Sequence, residues 1–484
     1  MENQFAQSLC KRLFGILAFV LAAFGAPAMA QTYHTGDIAV INNIIDNNGL
    51  QWAKAPANGS SVPSDWAYDG QGTSGIKWST DATNKRITYL NVMLKKLTGA
   101  LDVSGLSNLE YLRCSINELT ALNISGLSKL EELSCNVNKL TELDLSECLN
   151  LKSLDCGINH LKALDLSRLS NLEFFSCNIN PLTSLEFSGH PKLKHISFYN
   201  CAVLASLHVS DLPNLERLFC NENDRMASLT LSNLPKLQML NCARGSLTSL
   251  DLTEFPNLKE LRCNNNKLTS LNVSGLIYLE LLDCMGNGLT ELDVSTLSNL
   301  TKLYCFGNLL TELDVSMLSK LSLLSCGRNN LTSLNISGLT LITSLGCNNN
   351  KLTSLDVSRL SNLESLSCGF NSLTSLDVSK LNQLESLSCS FNKLTSLDLT
   401  GLTTFSYLDG KNQEQTLTLN LNPATQKYEA AIALNNPTGL ERGLTYADGK
   451  LIADDKRNSA TSFTVETGRP DHTLSGMLTL KYSN

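Results

Sequence analysis

The sequence predicts a solenoid, a stack of short coils in which each coil buries its apolar face only against its neighbours. Three observations carry that prediction. Thirteen cysteines (Cys114, Cys135, Cys156, Cys177, Cys220, Cys242, Cys263, Cys284, Cys305, Cys326, Cys347, Cys368 and Cys389) stand 21 residues apart, save for one step of 22 and one gap of 43 that Phe198 divides. Around each of them the chain repeats Leu-x-x-Leu-x-Cys, and Asn follows three residues later in 12 of the 14 rungs after the first. A second segment, Leu-Thr-x-Leu-Asp-Val-Ser, closes each coil, and its last position is Ser or Thr in all 15 rungs. A fixed period of this size is the mark of a repeat architecture. The 484 residues exceed what one globular core accommodates, but a one-dimensional stack has no such ceiling.

Residues 1–30 read as an export signal. Lys11 and Arg12 precede an apolar run over residues 13–24, and Ala28-Met-Ala30 supplies small residues for cleavage before Gln31. The run is too short to span a bilayer, and no later segment could, so the mature chain is expected outside the cytoplasm without a transmembrane segment. Cys10 lies before the apolar run, which argues against a lipid anchor.

Residues 31–86 do not fit the repeat and are expected to cap the first coil. Residues 37–48 pattern as a helix, with Ile38, Ile41, Ile44 and Ile45 on one face and Gly49 at its end. All three tryptophans, Trp52, Trp66 and Trp78, lie in this segment, where a cap core accounts for them better than a sugar site.

From residue 87 to about 410 the rungs follow one another, with Val92 and Phe198 standing at ladder positions. Each Leu-x-x-Leu-x-Cys stretch is a short strand, and neighbouring strands make a parallel sheet on the concave face, with short turns and 3-10 elements on the convex face. The recurrent Asn is expected to bond main-chain groups left free where the chain turns, a structural task. Its exceptions are Cys201 and Gly245. Equivalent residues on stacked rungs lie roughly 4.8 Å apart, which permits disulfides by distance. Side chains pointing the same way into a packed core, and an odd count, favour buried free thiols. The Asp of the closing segment recurs nine times. Asn123, Asn272 and Asn335 replace it, and local turn bonds explain that column more simply than calcium.

Residues 411–484 change character again. Stretches over 416–422, 427–434, 444–452, 462–466 and 474–482 pattern as strands between Asn-Pro, Asp-Gly and Gly-Arg-Pro turns, predicting an immunoglobulin-like β-sandwich.

The repeat resembles the leucine-rich repeats of bacterial internalins, and its 21-residue period with cysteine at the inner strand position looks most like the cysteine-ladder subtype, internalin J. The resemblance covers residues 87–408. It implies a surface adhesin that binds protein or glycan ligands of host or bacterial surfaces. This chain departs from the Gram-positive pattern in having no Leu-Pro-x-Thr-Gly anchor near Asn484. Instead, Leu444-Thr-Tyr-Ala-Asp-Gly449 and the closing stretch Leu478-Thr-Leu-Lys-Tyr482 resemble the sorting domains of type IX secreted proteins. That likeness implies display on an outer surface and cleavage after about Asn412; an ordinary cap is the alternative.

The repeats supply an internal reference for a binding site. The residues one and three before the ladder position, and the one after it, should face outward from the strand. In the last three rungs they are Ser344, Gly346, Asn348, Ser365, Ser367, Gly369, Ser386, Ser388 and Ser390, so small polar side chains satisfy the fold. In the middle rungs the same positions hold Phe174, Tyr199, Arg217, Phe219, Met239, Arg262, Leu281, Met285, Tyr304 and Phe306. Aromatic and Arg residues without a core to fill are what binding hot spots favour. The competing reading is that they cover one another or a self-association surface.

A formal charge of −7 without a long basic run argues against nucleic acid as the main partner. The chain has no His-Glu-x-x-His, no Gly-x-Ser-x-Gly and no phosphate loop, and its six histidines are scattered. A non-enzymatic protein with no cofactor, no metal site and no catalytic residues is expected.

Overall fold

The computed structural model describes residues 32–70, 74–187, 189–201 and 203–422, and further on 427–432, 434, 437–441, 444–448, 450–453, 460–469 and 472–483. The expected export signal and the expected cleavage position before Gln31 lie outside the described residues. The chain divides into two compact units that meet in sequence at Leu193 and Lys194.

The first unit opens with a helix, Thr35–Asn48, that ends at Gly49 in the left-handed conformation (φ 78°). Ile38, Ile41 and Ile44 are buried as the apolar spacing predicts, and Ile45 is half-buried. Asn48 ties the helix to the first coil, donating to the carbonyls of Thr98 (2.7 Å) and Ala100 (2.9 Å). Buried Asp37 does the same from the other end: it accepts from the backbone N–H of Ile87 (2.7 Å) and pairs with Arg86 (2.9 Å). Trp66 is fully buried and donates its indole N–H to the carbonyl of Ala53 (2.8 Å), while Trp52 lies close by at 6.5 Å between ring centres. Strand Gly75–Trp78 then pairs antiparallel with Ile87–Asn91, the first rung. Parallel strands Tyr111–Arg113, Glu132–Ser134, Ser153–Asp155 and Phe174–Ser176 follow in register.

In the second unit the strand His195–Ser197 begins a parallel run that ends at Tyr407–Asp409. That last strand is a further rung beyond the cysteine ladder, with Gly410 at the ladder position. The repeat is least regular just before this unit. His190, in a column held mostly by leucine, is buried with its ring nitrogens 2.9 Å from the carbonyls of Phe187 and Leu166.

Two polar columns hold the coils. The ladder asparagines are half-buried to buried, and each spans two rungs. Asn159, for example, donates to the carbonyls of Cys156 and Cys135 (3.1 Å each) and accepts from the backbone N–H of Leu140 (3.0 Å). Asn223 accepts from the N–H of Cys201 (2.7 Å), so the thiol at that asparagine position interrupts the pattern on one side only. The second column is the closing Asp. Asp144, Asp165 and Asp314 each accept from a serine N–H two residues on (2.9 Å), and Asn272 accepts the same bond at 3.1 Å. Those N–H and hydroxyl groups hold the Asp144, Asp165 and Asp314 carboxyls below their ordinary range, the turn chemistry anticipated for this column.

All fifteen cysteines among the described residues are free and buried. Burial disfavours the thiolate and pushes Cys114, Cys242 and Cys347 up to about 12. These thiols pack as small apolar side chains and are poor nucleophiles.

After Asp409 the second unit closes with one mixed sheet. Its strands lie in the spatial order Leu444–Ala447, Lys450–Ala453, Lys427–Ala431, Gln413–Asn422, His472–Ser483, Ala460–Arg469. Only Gln413–Asn422 and His472–Ser483 run parallel. The expected sandwich is thus seen in part, as a single six-stranded layer among the described residues.

Candidate functional site

Along most concave strands the middle residue is buried and its neighbours are partly open, as the two-residue period requires. In Ser365–Ser367 and Ser386–Ser388, Leu366 and Leu387 are buried while the flanking serines are half-buried. The ten larger side chains at equivalent positions divide between the units. Phe174 lies in the first and is 37% exposed; Tyr199, Arg217, Phe219, Met239, Arg262, Leu281, Met285, Tyr304 and Phe306 lie in the second. Arg217 is exposed, and the other eight are half-buried.

Their partners explain that partial cover. The Phe219 ring meets His195 edge-on at 5.3 Å, and burial together with the Arg217 charge holds that histidine below its usual range. Arg262 donates to Glu260 on its own strand. The Arg328 guanidinium lies 5.6 Å from the centre of the Phe306 ring. Met285 donates its N–H to Asp283 (3.2 Å), whose carboxyl is raised by burial.

Arg217, Met239 and Leu281 come together in one open cleft of about 340 Å³, floored by the strands Arg217–Phe219 to Lys302–Tyr304. Its lining is mixed in charge: Glu216, Glu260 and Glu280 stand among Arg217, Lys259 and Lys302. Sequence reasoning picked out Arg217, Met239 and Leu281 of this lining. It passed over Glu216, Lys259 and Glu280, because residues four before the ladder position were not counted as outward-facing, and it did not single out Glu260 and Lys302 at the counted offset of three. Tyr199, Phe219, Arg262, Met285, Tyr304 and Phe306 are not in the cleft lining.

A further column was not singled out from the sequence. The residue two after the ladder position is left-handed in every rung: Leu94, Ile116, Val137, Ile158 and Ile179 in the first unit, then Asn200 through Asn412 in the second, with φ between 48° and 70°. Asn and Gly suit that conformation, and the second unit uses them at Asn200, Asn265, Gly286, Gly307, Asn349 and Asn412. The first unit places five aliphatic side chains there, four of them β-branched, at a cost of about 1–2 kcal/mol each. They gain little burial in return, since Ile179 is 37% exposed and Leu94 59%. In the second unit Phe370 and Phe391 occupy the same column and stack face to face, 4.1 Å apart and 15° from parallel. The signal was in the sequence as a run of aliphatic residues at a polar offset, but only the backbone angle shows that the fold disfavours it.

The chain carries the leucine-rich repeat fold, and comparison with solved structures makes the likeness specific. The functional domain of InlJ from Listeria monocytogenes, which includes a cysteine ladder, superposes with a TM-score of 0.61 at 27% identity, over 83% of this chain and 94% of that one. A leucine-rich repeat protein of Leptospira interrogans matches with a TM-score of 0.52 at 24% identity, over 66% of this chain and 83% of that one. No protein-family model matches the sequence, and no curated protein matches it.

Proposed function

We propose that this protein is an exported, non-enzymatic adhesin of the cell surface. Its concave face takes protein or glycan ligands of host or bacterial surfaces and promotes cell–cell attachment and biofilm. One observation carries the reading: positions that Ser365, Ser367, Ser386 and Ser388 fill adequately hold Phe, Tyr, Arg and Met in the middle rungs. Half-buried aromatic and Arg side chains beside a cleft of mixed charge are suited to a structured partner. The resemblance to cysteine-ladder internalins supports the same class of function.

The test compares adhesion and biofilm formation by cells displaying the wild type or a quintuple variant, F174S/Y199S/F219S/Y304S/F306S. With export and melting unchanged, lost attachment supports the assignment, and unchanged attachment removes it. Equal numbers of acidic and basic residues in the cleft also suit a second copy of the chain, the basis of an alternative reading as a self-associating envelope scaffold. Sedimentation of the purified protein that shifts with concentration, without added ligand, would favour that alternative.

A further inference from the structure

The N-terminal end of the first unit's concave sheet carries a cluster that neither the middle rungs nor the repeat explains. Strand pairing aligns Lys77 with Tyr89, Tyr89 with Tyr111, and Tyr111 with Glu132, so four successive strands present one row. Later rungs continue that row with Ser153, and in the second unit the same offset holds Ser365 and Ser386, so the fold does not require phenols or charges there.

Cations and rings of the row lie against one another. The Lys77 ammonium lies 4.0 Å from the centre of the Tyr68 ring and 4.8 Å from that of Tyr89. The Arg113 guanidinium is 5.9 Å from the Tyr89 ring, and Tyr111 leans on Tyr89 at 6.2 Å. Two ring faces thus hold in place a cation that would otherwise turn freely in water at the end of a flexible stem. Lys77 makes no ion pair among the described residues, so its N–H donors are unspent. Arg113 commits its Nε and one terminal nitrogen to a single oxygen of Glu132, at 2.7 Å each, and keeps its other terminal nitrogen. Two cations face one carboxylate, leaving the cluster with an excess positive charge and fixed donors.

We propose that Tyr68, Lys77, Tyr89, Tyr111 and Arg113 form a second binding site, for the carboxylated sugar of an acidic glycan. The fixed ammonium and the spare guanidinium nitrogen take the carboxylate, which is the charge complement the cluster lacks. The half-buried phenols Tyr68 and Tyr111 offer donors and acceptors to ring hydroxyls, while Tyr89 is buried, accepts from the Asn91 amide (3.3 Å) and serves as the platform for the cations. An acidic peptide fits less well, because strands Ile87–Asn91 and Tyr111–Arg113 are paired on both sides and the outer edge of Gly75–Trp78 is already met by Ala67 in a bridge to Ile76.

Titration calorimetry of the full purified chain at low salt tests this, with 3′-sialyllactose and trigalacturonate as acidic probes and with neutral lactose and hexaglutamate beside them. The expected result is saturable binding of a carboxylated sugar, weakened by added salt, with no binding of lactose. The variant Lys77→Met should bind at least about tenfold more weakly, the loss of one charge-assisted hydrogen bond, at unchanged melting temperature because Lys77 is exposed. Lys77→Arg should restore most of the affinity. Absence of binding by both acidic sugars overturns the proposal, as does equal binding by Lys77→Met. Hexaglutamate binding as tightly as the sugars would reassign the site to acidic peptides. The quintuple middle-rung variant leaves these five residues intact and should bind the sugar like wild type, so this site and the proposed adhesive surface fail or stand separately.

Discussion

At the scale of single residues, the first unit is in conflict with itself at the left-handed column. Ile116, Ile158 and Ile179 sit at φ between 52° and 56°, where the side chain crowds its own backbone, while Asn200 and Asn265 occupy the equivalent angle without that penalty. Replacing Ile158 by Asn is therefore expected to stabilise the protein by about 1 kcal/mol, because the relief of strain exceeds the small burial lost. Denaturant unfolding of wild type and Ile158→Asn measures this, and a destabilised variant would mean the exposed isoleucine packs better than its surroundings suggest. The strain was not legible beforehand, since the aliphatic run at this offset does not by itself reveal the backbone angle. The tyrosine–lysine cluster was hidden for a related reason: Lys77 reaches Tyr89 through an antiparallel pairing outside the repeat, and no spacing rule points to it.

At the scale of elements, the rung is a unit of hydrogen bonding as much as of apolar packing. Removing the amide in Asn159→Ala would leave the carbonyls of Cys156 and Cys135 and the N–H of Leu140 without this partner in a buried setting. A loss of about 3 kcal/mol is expected, larger than for a surface substitution because buried groups forfeit water as well as their bond. Equilibrium unfolding reads the difference, and a loss under about 1 kcal/mol would show that water replaces the amide. This part of the fold was plainly written in the sequence. Cysteine, leucine and asparagine recur at offsets that only a stacked coil satisfies, and the structure adds one rung that cysteine counting could not find. There Gly410 has no side chain to mark the ladder, and Gln413 takes the asparagine's task, donating to the carbonyl of Cys389 (3.0 Å) and accepting from the N–H of Leu394 (3.0 Å).

At the scale of the whole chain, that substitution decides what the C-terminal sheet does. Gln413 opens the strand Gln413–Asn422, so the last coil and the first strand of the sheet share a residue. The Glu414 N–H bonds the carbonyl of Asn392 (2.8 Å), and the Leu399 N–H bonds that of Thr467 (2.8 Å). A chain ending at Asn412 would expose the apolar end of the stack and free those buried groups, which a solenoid does not tolerate without a cap. Such a truncation is expected to lose its cooperative melting transition or to aggregate on purification. If it melts like the full chain, the sheet is a detachable module and cleavage after Asn412 is compatible with a stable array. The boundary at Leu193 and Lys194 had a partial sequence signal, the ladder gap filled by Phe198 and the thiol at Cys201, although nothing in the pattern marked it as a division into units.

The ladder asparagines have a consequence for inheritance. Because the side-chain amide of each bonds only its own coil and the one before, and backbone bonds reach only adjacent coils, a coil can be duplicated or deleted with every bond re-formed by an identical neighbour. The near-identical rungs around Cys347, Cys368 and Cys389 are the stretch most open to unequal exchange at the level of the gene. Natural variants of this protein should accordingly differ in length by whole coils in that stretch, while the first unit, with its strained and unrepeatable side chains, keeps its count.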